Sequence, residues 1–126
     1  MLSGDPPTRS ILLVEDEAFL RELLVEDLQD AGYHVIEAGS GNAGVDALRS
    51  DLHIDVLLSD IKLPDIDGYT VAQIGKRIRP ELKVILMTGY APSPLPEVLR
   101  SLVFRVLQKP FPLNSLPDVV AAALES

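Results

Sequence analysis

The sequence contains no cysteine and no tryptophan, and it has only three tyrosines and three phenylalanines in 126 residues. Without cysteine there can be no disulfide, no zinc site built from thiolates and no thiol nucleophile. Basic residues are also scarce, because eleven Lys and Arg stand against nineteen Asp and Glu and give a net charge of −8. A chain this negative repels phosphate backbones and anionic lipids, so neither nucleic acid nor a membrane surface is a predicted partner.

Long apolar runs and an export signal are missing as well. No run approaches the ~20 residues that cross a bilayer, and the opening MLSGDPPTRS mixes acid, proline and polar groups. We therefore expect a cytoplasmic protein. Its length and its 47% hydrophobic content fit one globular domain. We expect residues 1–9 to form a flexible segment and residues 10–126 to form the domain.

Short apolar runs alternate with segments of helical periodicity along the chain. The runs predict strands, because continuous apolar runs are typical of buried parallel strands; they cover residues 11–14, 33–38, 54–59, 84–87 and 104–108. Helical spacing predicts helices over residues 18–30, 40–52, 71–78, 96–102 and 116–124. The fourth helix is predicted to be short, since the prolines of APSPLP lack amide donors and a helix can hardly start before Pro96.

This alternation predicts an α/β fold with a flavodoxin-like, doubly wound parallel sheet. The expected strand order is 2-1-3-4-5, with five helices on its two faces. In the first helix, the helical spacing of Phe19 and Leu23, and of Leu20, Leu24 and Leu28, places all five residues on the buried side. The same spacing leaves Arg21 on the solvent side.

Polar residues follow the ends of four predicted strands. Ligands of such sheets bind at this edge, where the sequence places Glu15, Asp16, Asp60, Thr88 and Lys109. Three carboxylates at close quarters repel one another unless a cation lies between them, and Mg2+ prefers carboxylate and water oxygens. A lysine ammonium beside that cation completes a pocket suited to a phosphoryl group.

The residues alone leave a second function open. A Mg2+-dependent phosphohydrolase or nucleotidyl-transfer enzyme could use Glu15 with Asp65 and Asp67. No phosphate-binding glycine loop supports it, and the two aspartates are explained more simply as turn and capping residues of the third helix. Thr88, which precedes a glycine, is by itself more typical of a turn.

Four motifs, each at the end of a different predicted strand, carry a family resemblance. They are ILLVEDE, LLSDIKLPDIDG, ILMTGYA and LQKPF. From about Ser10 to Leu124 the chain resembles the receiver domain of two-component response regulators. The resemblance implies a signalling switch rather than an enzyme with an external substrate. A histidine kinase or histidine phosphotransfer protein would phosphorylate Asp60, which would change the binding of a downstream protein partner.

The resemblance also implies a Mg2+ site. Asp16 would bind the ion directly, Glu15 mainly through water, Asp60 through its second carboxylate oxygen, and Lys62 through its backbone carbonyl. The implied catalytic residues are Asp60, Thr88 and Lys109: the threonine would donate to a phosphoryl oxygen and the lysine would contact the phosphoryl group. The Lys-Pro-Phe triplet further implies a cis peptide bond before Pro110.

Two features depart from the family pattern or vary within it. Receivers commonly carry a tyrosine or phenylalanine three residues before the lysine, where this chain has Val106. Phe104, two residues earlier, is expected on the same strand face, so it either takes over that role or the aromatic switch is absent. Lys62 and Tyr90 are expected at the mouth of the pocket, where their bulk would slow hydrolysis. The sequence does not distinguish a stand-alone regulator from a receiver excised from a larger protein. It also leaves open whether the chain forms a homodimer.

Overall fold

The computed structural model describes residues 8–90, 94–112 and 114–126. Strands and α-helices alternate along them in the order β1 (Ser10–Val14), α1 (Ala18–Asp30), β2 (His34–Ala38), α2 (Gly41–Arg49), β3 (Val56–Asp60), α3 (Gly68–Ile78), β4 (Lys83–Thr88), β5 (Arg105–Gln108) and α4 (Leu116–Glu125). A short 3-10 helix, Glu97–Leu99, lies between β4 and β5. Among the helices of these residues, none is long and apolar enough to cross a membrane.

The sheet is parallel with the order β2-β1-β3-β4-β5, which confirms the predicted topology. Every residue of β1 and β3 is buried, because these strands lie inside the sheet and helices cover both faces. Alternate residues point to two clusters. Leu12 and Leu57 pack on the side of α2 and α3, while Ile11 and Val56 pack on the side of α1 and α4.

The prediction of five α-helices is wrong, because the described residues form four. Where an α-helix was expected over residues 96–102, the chain makes the 3-10 helix Glu97–Leu99 and then a turn, with hydrogen bonds such as Leu99 N to Pro96 O at 2.8 Å. Prolines at 94 and 96 have no amide hydrogen, and β5 begins at Arg105. Few residues are left for an α-helix, and short helical segments adopt the tighter 3-10 form readily.

The segment before β5 still covers the sheet without an α-helix. Leu99 is buried, and Leu95 and Val103 pack against the cluster on the α2 and α3 side. Residues 91–93 of the predicted proline loop, and residues 1–7 of the predicted N-terminal segment, lie outside the described residues.

Helix α1 buries a narrower face than its sequence predicts. Leu24 and Leu28 are buried, but Phe19 is 69% exposed and Leu23 is 39% exposed. Each step along an α-helix turns about 100°, so these two residues lie on the flank of the stripe formed by Leu20, Leu24 and Leu28. The prediction that all five share the buried side is therefore wrong.

Candidate functional site

The strand ends bring the predicted polar residues to one edge of the sheet. Asp60 is the last residue of β3 and Thr88 the last of β4, while Glu15 follows β1 and Lys109 follows β5. Hydrogen bonds between neighbouring strands continue past their ends. The Glu15 amide donates to Ala38 O at 3.0 Å and the Lys109 amide donates to Thr88 O at 2.7 Å. The backbone positions of these residues are thus fixed by the sheet.

A buried ion-pair triad lies at the centre of this edge. The Nζ atom of Lys109 is 2.6 Å from Glu15 Oε1 and 2.7 Å from Asp60 Oδ1. The Glu15 side chain is 1% exposed and that of Asp60 is 8% exposed. Charges this deeply buried are tolerated only when they are paired, so the lysine is what allows two carboxylates to lie together here. The peptide bond between Lys109 and Pro110 is cis, as the resemblance implies.

Asp16 adds a third carboxylate at the solvent-exposed rim. One carboxylate oxygen from each of Glu15, Asp16 and Asp60 lies within 4.8 Å of the other two. Within the part of the chain that the structure describes, Asp16 forms no ion pair. Three hard oxygen donors, two buried and one open to water, are a donor set that suits Mg2+ and its retained water ligands.

The carboxylates influence each other's protonation. Burial, followed by the hydrogen bond with Glu15, raises the pKa of Asp60 to about 7 against the opposing effect of Lys109. Burial alone would raise the pKa of Glu15, but hydrogen bonds to Asp60 and Lys109 outweigh it and hold that pKa below its usual value. One ammonium therefore does not keep both carboxylates fully ionised near neutral pH, and a second cation at this site would favour the ionised form of Asp60.

An open cavity of about 550 Å³ leads to the triad, and its lining includes Asp16, Asp60, Thr88 and Lys109. Lys62 and Tyr90 also line it. The Lys62 ammonium donates to the Tyr90 hydroxyl at 3.1 Å and lies 5.5 Å from the centre of its ring. The Thr88 hydroxyl accepts from the Tyr90 amide at 3.1 Å, so it is engaged in a turn.

The two aspartates of the alternative enzyme have structural partners. Asp67 caps α3 by accepting from the Thr70 amide at 2.8 Å, which confirms its predicted capping role. Asp65 was predicted to serve the same helix, but instead it caps α2 by accepting from the Gly41 and Asn42 amides at 2.9 and 2.7 Å. Neither belongs to the carboxylate cluster found among the described residues. The alternative enzyme therefore lacks the group of neighbouring carboxylates that Glu15, Asp65 and Asp67 were expected to form.

Val106 and Phe104 lie on opposite sides of the sheet. Val106 packs with the cluster beside α2 and α3, and Phe104 packs with the cluster beside α1 and α4. The prediction that they share a face is wrong because Phe104 precedes β5 and does not follow its alternation. Phe104 thus does not lie on the side where the family aromatic is expected.

A second cavity, of about 770 Å³, lies at the opposite edge of the sheet and is rich in basic side chains. Several of these side chains have structural partners. Arg79 donates to the carbonyl of Leu48 in the last turn of α2 at 3.0 Å, as cations commonly do at helix ends, and Lys76 donates to the carbonyl of Pro80, in the turn after α3, at 2.8 Å. Backbone contacts therefore explain these two basic residues.

Sequence reasoning missed one residue beside the site, Arg21. It was placed on the solvent side of α1, yet its guanidinium donates to the backbone carbonyl of Glu15 at 2.8 Å. Helical periodicity reports which way a residue points from its helix, but a long side chain can fold back over the preceding turn. No signal in the sequence indicates that contact.

Comparisons with known proteins agree with this geometry. The family model described as "Response regulator receiver domain" matches residues 11–121. Response regulator receiver protein CpdR of Brucella abortus is 35% identical over 117 residues, which are 92% of this chain and 97% of that protein. Sensor kinase CckA of the same organism is 35% identical over 126 residues, and the match spans 98% of this chain and 13% of the kinase.

A solved structure extends the likeness from sequence to shape. The response regulator protein TrrA from Thermotoga maritima, crystallised in complex with Mg(2+)-BeF, superposes with a TM-score of 0.75 at 31% identity. That match covers 93% of this chain and all of TrrA. Strand order, the carboxylate cluster and a family match over most of the chain lead to one conclusion: the protein belongs to the response regulator receiver domain family and is a receiver of two-component signalling.

Proposed function

We propose that this receiver accepts a phosphoryl group on Asp60 from a histidine kinase or a histidine phosphotransfer protein, with Mg2+, and that phosphorylation changes its binding to a downstream protein. The observation that carries the proposal is the position of Asp60: a buried carboxylate within 2.7 Å of an ammonium, clustered with Glu15 and Asp16, at the end of an open cavity. A nucleophile in that place is reachable by a donor protein and is surrounded by groups that stabilise phosphoryl charge.

The carboxylate cluster fits the metal that the family implies. Asp16 and Asp60 would hold Mg2+ directly, Glu15 mainly through water, and Lys62 through its backbone carbonyl. When bound, the ion supplies positive charge that offsets the carboxylates and the oxygens of the incoming phosphoryl group. Ionised Asp60 is also the reactive form, because only the carboxylate has the electron pair needed for attack.

Phosphoryl transfer to Asp60 requires little from the protein beyond position and charge. A carboxylate oxygen of Asp60 forms a bond to phosphorus as the phosphorus–nitrogen bond of the donor phosphohistidine breaks, and the imidazole nitrogen keeps the electron pair. Lys109, already in contact with Asp60, pairs with a phosphoryl oxygen. In a separate hydrolysis step, water attacks the phosphorus atom of the acyl phosphate, the bond to the Asp60 oxygen breaks, and inorganic phosphate and the Asp60 carboxylate are released. The protein thus promotes only its own phosphorylation and dephosphorylation.

Thr88 couples the modified aspartate to the loop after β4. Its hydroxyl now accepts from the Tyr90 amide, and it rotates to donate to a phosphoryl oxygen. That rotation releases the turn and draws residues 88–90 toward the pocket. The changed surface is what a downstream partner distinguishes.

The contact between Lys62 and Tyr90 bears on the lifetime of the acyl phosphate. Both side chains line the cavity and are exposed to solvent, so their contact would obstruct water that approaches the phosphorus atom from that side. We therefore expect this pair to slow hydrolysis of the acyl phosphate.

The remaining parts of the proposal concern context. We assign the receiver to residues 10–126 and expect it to act in the cytoplasm through protein contacts, since a net charge of −8 disfavours nucleic acid and anionic lipid. Analytical ultracentrifugation with and without beryllofluoride distinguishes a monomer from a homodimer formed on activation.

Phosphoramidate tests the proposal, because its phosphorus–nitrogen bond imitates that of phosphohistidine. The protein is incubated with phosphoramidate and Mg2+, and its intact mass is measured. We expect the gain of one phosphoryl group in the wild type and in Asp46→Asn, an exposed carboxylate of α2 that serves as a control. The gain should vanish in Asp60→Asn and when Mg2+ is chelated. Release of inorganic phosphate by Asp60→Asn at the wild-type rate would instead favour the phosphohydrolase.

A further inference from the structure

We propose that Arg21 is a positioning residue for Mg2+ binding: it holds the peptide that joins Glu15 to Asp16 and so orients the Asp16 carboxylate. The inference rests on the metal site proposed above. It assigns a role to a side chain that touches neither the metal position nor Asp60, and that acts only through the backbone of the acidic loop, residues 15–17.

The guanidinium of Arg21 joins three parts of the fold. From the first part of α1 its Nη1 atom donates to Glu15 O at 2.8 Å, and its Nε atom lies 3.3 Å from Glu37 Oε1 in β2. The Arg21 side chain is 23% exposed, so the contacts are partly shielded from water. The planar guanidinium of arginine holds its donors in fixed directions on separate nitrogens, which suits two acceptors on different segments, whereas a lysine ammonium has all its donors on one nitrogen at the end of a flexible stem.

The contact matters because of what it fixes. The Glu15 carbonyl lies in the same planar peptide as the Asp16 amide, so holding that oxygen fixes the plane from which Asp16 extends. The other backbone group of Glu15, its amide, donates to Ala38 O at 3.0 Å. Arg21 therefore completes the restraint that the sheet begins.

Asp16 has greater need of this restraint than Glu15. The Glu15 carboxylate is already held by Lys109 at 2.6 Å and by the Glu17 amide at 3.1 Å. Asp16 is exposed and, over the ranges that the structure describes, has no ion-pair partner. The direction of its side chain therefore depends on its backbone, which Arg21 helps to fix.

Gly39 leaves the space in which the guanidinium lies. A Cβ atom added at position 39 would be 3.3 Å from Arg21 Nη1, close enough to displace the nitrogen by a few tenths of an ångström. Gly39→Ala thus disturbs the contact without changing the arginine or any charge.

Charge and positioning predict opposite effects when Arg21 is replaced. A cation near three carboxylates opposes a second cation, so a purely electrostatic Arg21 would weaken Mg2+ binding and its removal would tighten it. A positioning Arg21 strengthens Mg2+ binding, so its removal weakens it. Arg21→Lys distinguishes these two roles further, because it keeps the positive charge but loses the planar guanidinium.

Calorimetric titration with Mg2+ alone tests the inference. We expect Arg21→Gln and Arg21→Lys to bind Mg2+ on the order of tenfold more weakly than the wild type, as is typical when a group that orients a ligand is removed. Gly39→Ala should show a smaller loss of the same sign. Arg49→Gln, which removes an exposed arginine at the end of α2, should stay within about twofold because distant exposed charges are screened.

Urea unfolding without metal accompanies the titration, so that a variant with lost stability is recognised. If Arg21→Gln fails to fold, Mg2+ binding by Arg21→Lys and Gly39→Ala decides whether Arg21 positions the loop. Wild-type or tighter Mg2+ binding by the folded Arg21 variants overturns the role of Arg21 while the metal site stands. A wild type that neither binds Mg2+ nor gains a phosphoryl group overturns the proposed function and this inference together.

Discussion

The two sides of the pocket are built very differently. The acceptor side, which consists of Glu15, Asp60 and Lys109, is buried and joined by ion pairs of 2.6 and 2.7 Å. The switch side, which consists of residues 88–90 and 94–104, is held by a turn and a short 3-10 helix. Its Tyr90 residue is 63% exposed.

This difference suggests that phosphorylation and the structural response to it depend on different sides of the pocket. On the acceptor side the charges that would stabilise a phosphoryl group already lie in place, so we expect modification to require little reorganisation. On the switch side few side chains are buried, and the hydrogen bonds of its turn and its 3-10 helix are local, which is typical of segments that rearrange at low free-energy cost. The acceptor side should therefore govern whether the protein is phosphorylated, and the switch side should govern how its surface changes afterwards.

The largest effect that we expect on the acceptor side is a dependence of folding stability on pH in the absence of Mg2+. Asp60 has a pKa of about 7 in the folded protein against 3.8 as the reference value, so between these values the folded protein holds a proton that the unfolded chain releases. Stability should fall as pH rises from about 4 to about 7, and Asp60→Asn should lack this loss. Between pH 4 and pH 8 we expect the stability of the wild type to fall, relative to that of the variant, by up to about 4 kcal/mol.

Urea unfolding at pH 4 and pH 8 in chelator measures this difference. Asp46→Asn controls for the loss of one carboxylate. An Asp60→Asn variant with the same pH dependence as the wild type would contradict the account of the triad.

Loss of Lys109 should nearly stop phosphorylation while leaving the nucleophile in place. In Lys109→Gln we expect the rate of phosphorylation by phosphoramidate to fall on the order of 100-fold, as happens when one charge-stabilising group is removed from a reaction centre. The mass gain is followed over time at saturating Mg2+. A rate within about threefold of the wild type would mean that Lys109 has only a structural role.

On the switch side, opening the mouth of the cavity should shorten the life of the modified protein. We expect Tyr90→Ala and Lys62→Ala each to speed hydrolysis of the acyl phosphate about fivefold, because each removes one partner of the contact that obstructs water. Val98→Ala, which shortens another exposed side chain on that side, is the control. Unchanged decay of the phosphorylated mass in both variants would refute the hypothesis.

Thr88→Ala should have the smallest effect on events at Asp60, but it should selectively prevent the structural change that follows them. We expect it to bind beryllofluoride with Mg2+ but to lose the accompanying change in amide hydrogen exchange over residues 94–104. The wild type should show that change. If the variant shows it too, Thr88 does not couple the two sides.

The sequence predicts the acceptor side better than the switch side for a physical reason. Buried parallel strands leave continuous apolar runs, so the residues that follow them, such as Asp60, can be placed at one edge without coordinates. The prolines before Pro96 correctly indicate an obstructed helix start, but whether the remaining residues make an α-helix or a 3-10 turn depends on the space over the sheet. That dependence caused the error in helix number.

Contacts between distant segments explain the other errors. Asp65 caps α2, some two dozen residues earlier in the chain, although its spacing suggested α3. Phe104 packs on the opposite side of the sheet from Val106 because it lies just outside β5. The Arg21 side chain folds back on the acidic loop. Helical periodicity does not predict which groups a long side chain contacts.

The central claim is that one carboxylate, at the end of β3, receives the phosphoryl group. Reduction of the phosphorylated protein with borohydride, followed by peptide sequencing, locates an acyl phosphate because hydride displaces the phosphate and reduces the side-chain carboxyl to a primary alcohol, which converts an aspartyl residue to homoserine. The account predicts conversion at Asp60 alone. Conversion at Glu15 or Asp16, or phosphate retained on the Thr88 hydroxyl, would contradict it.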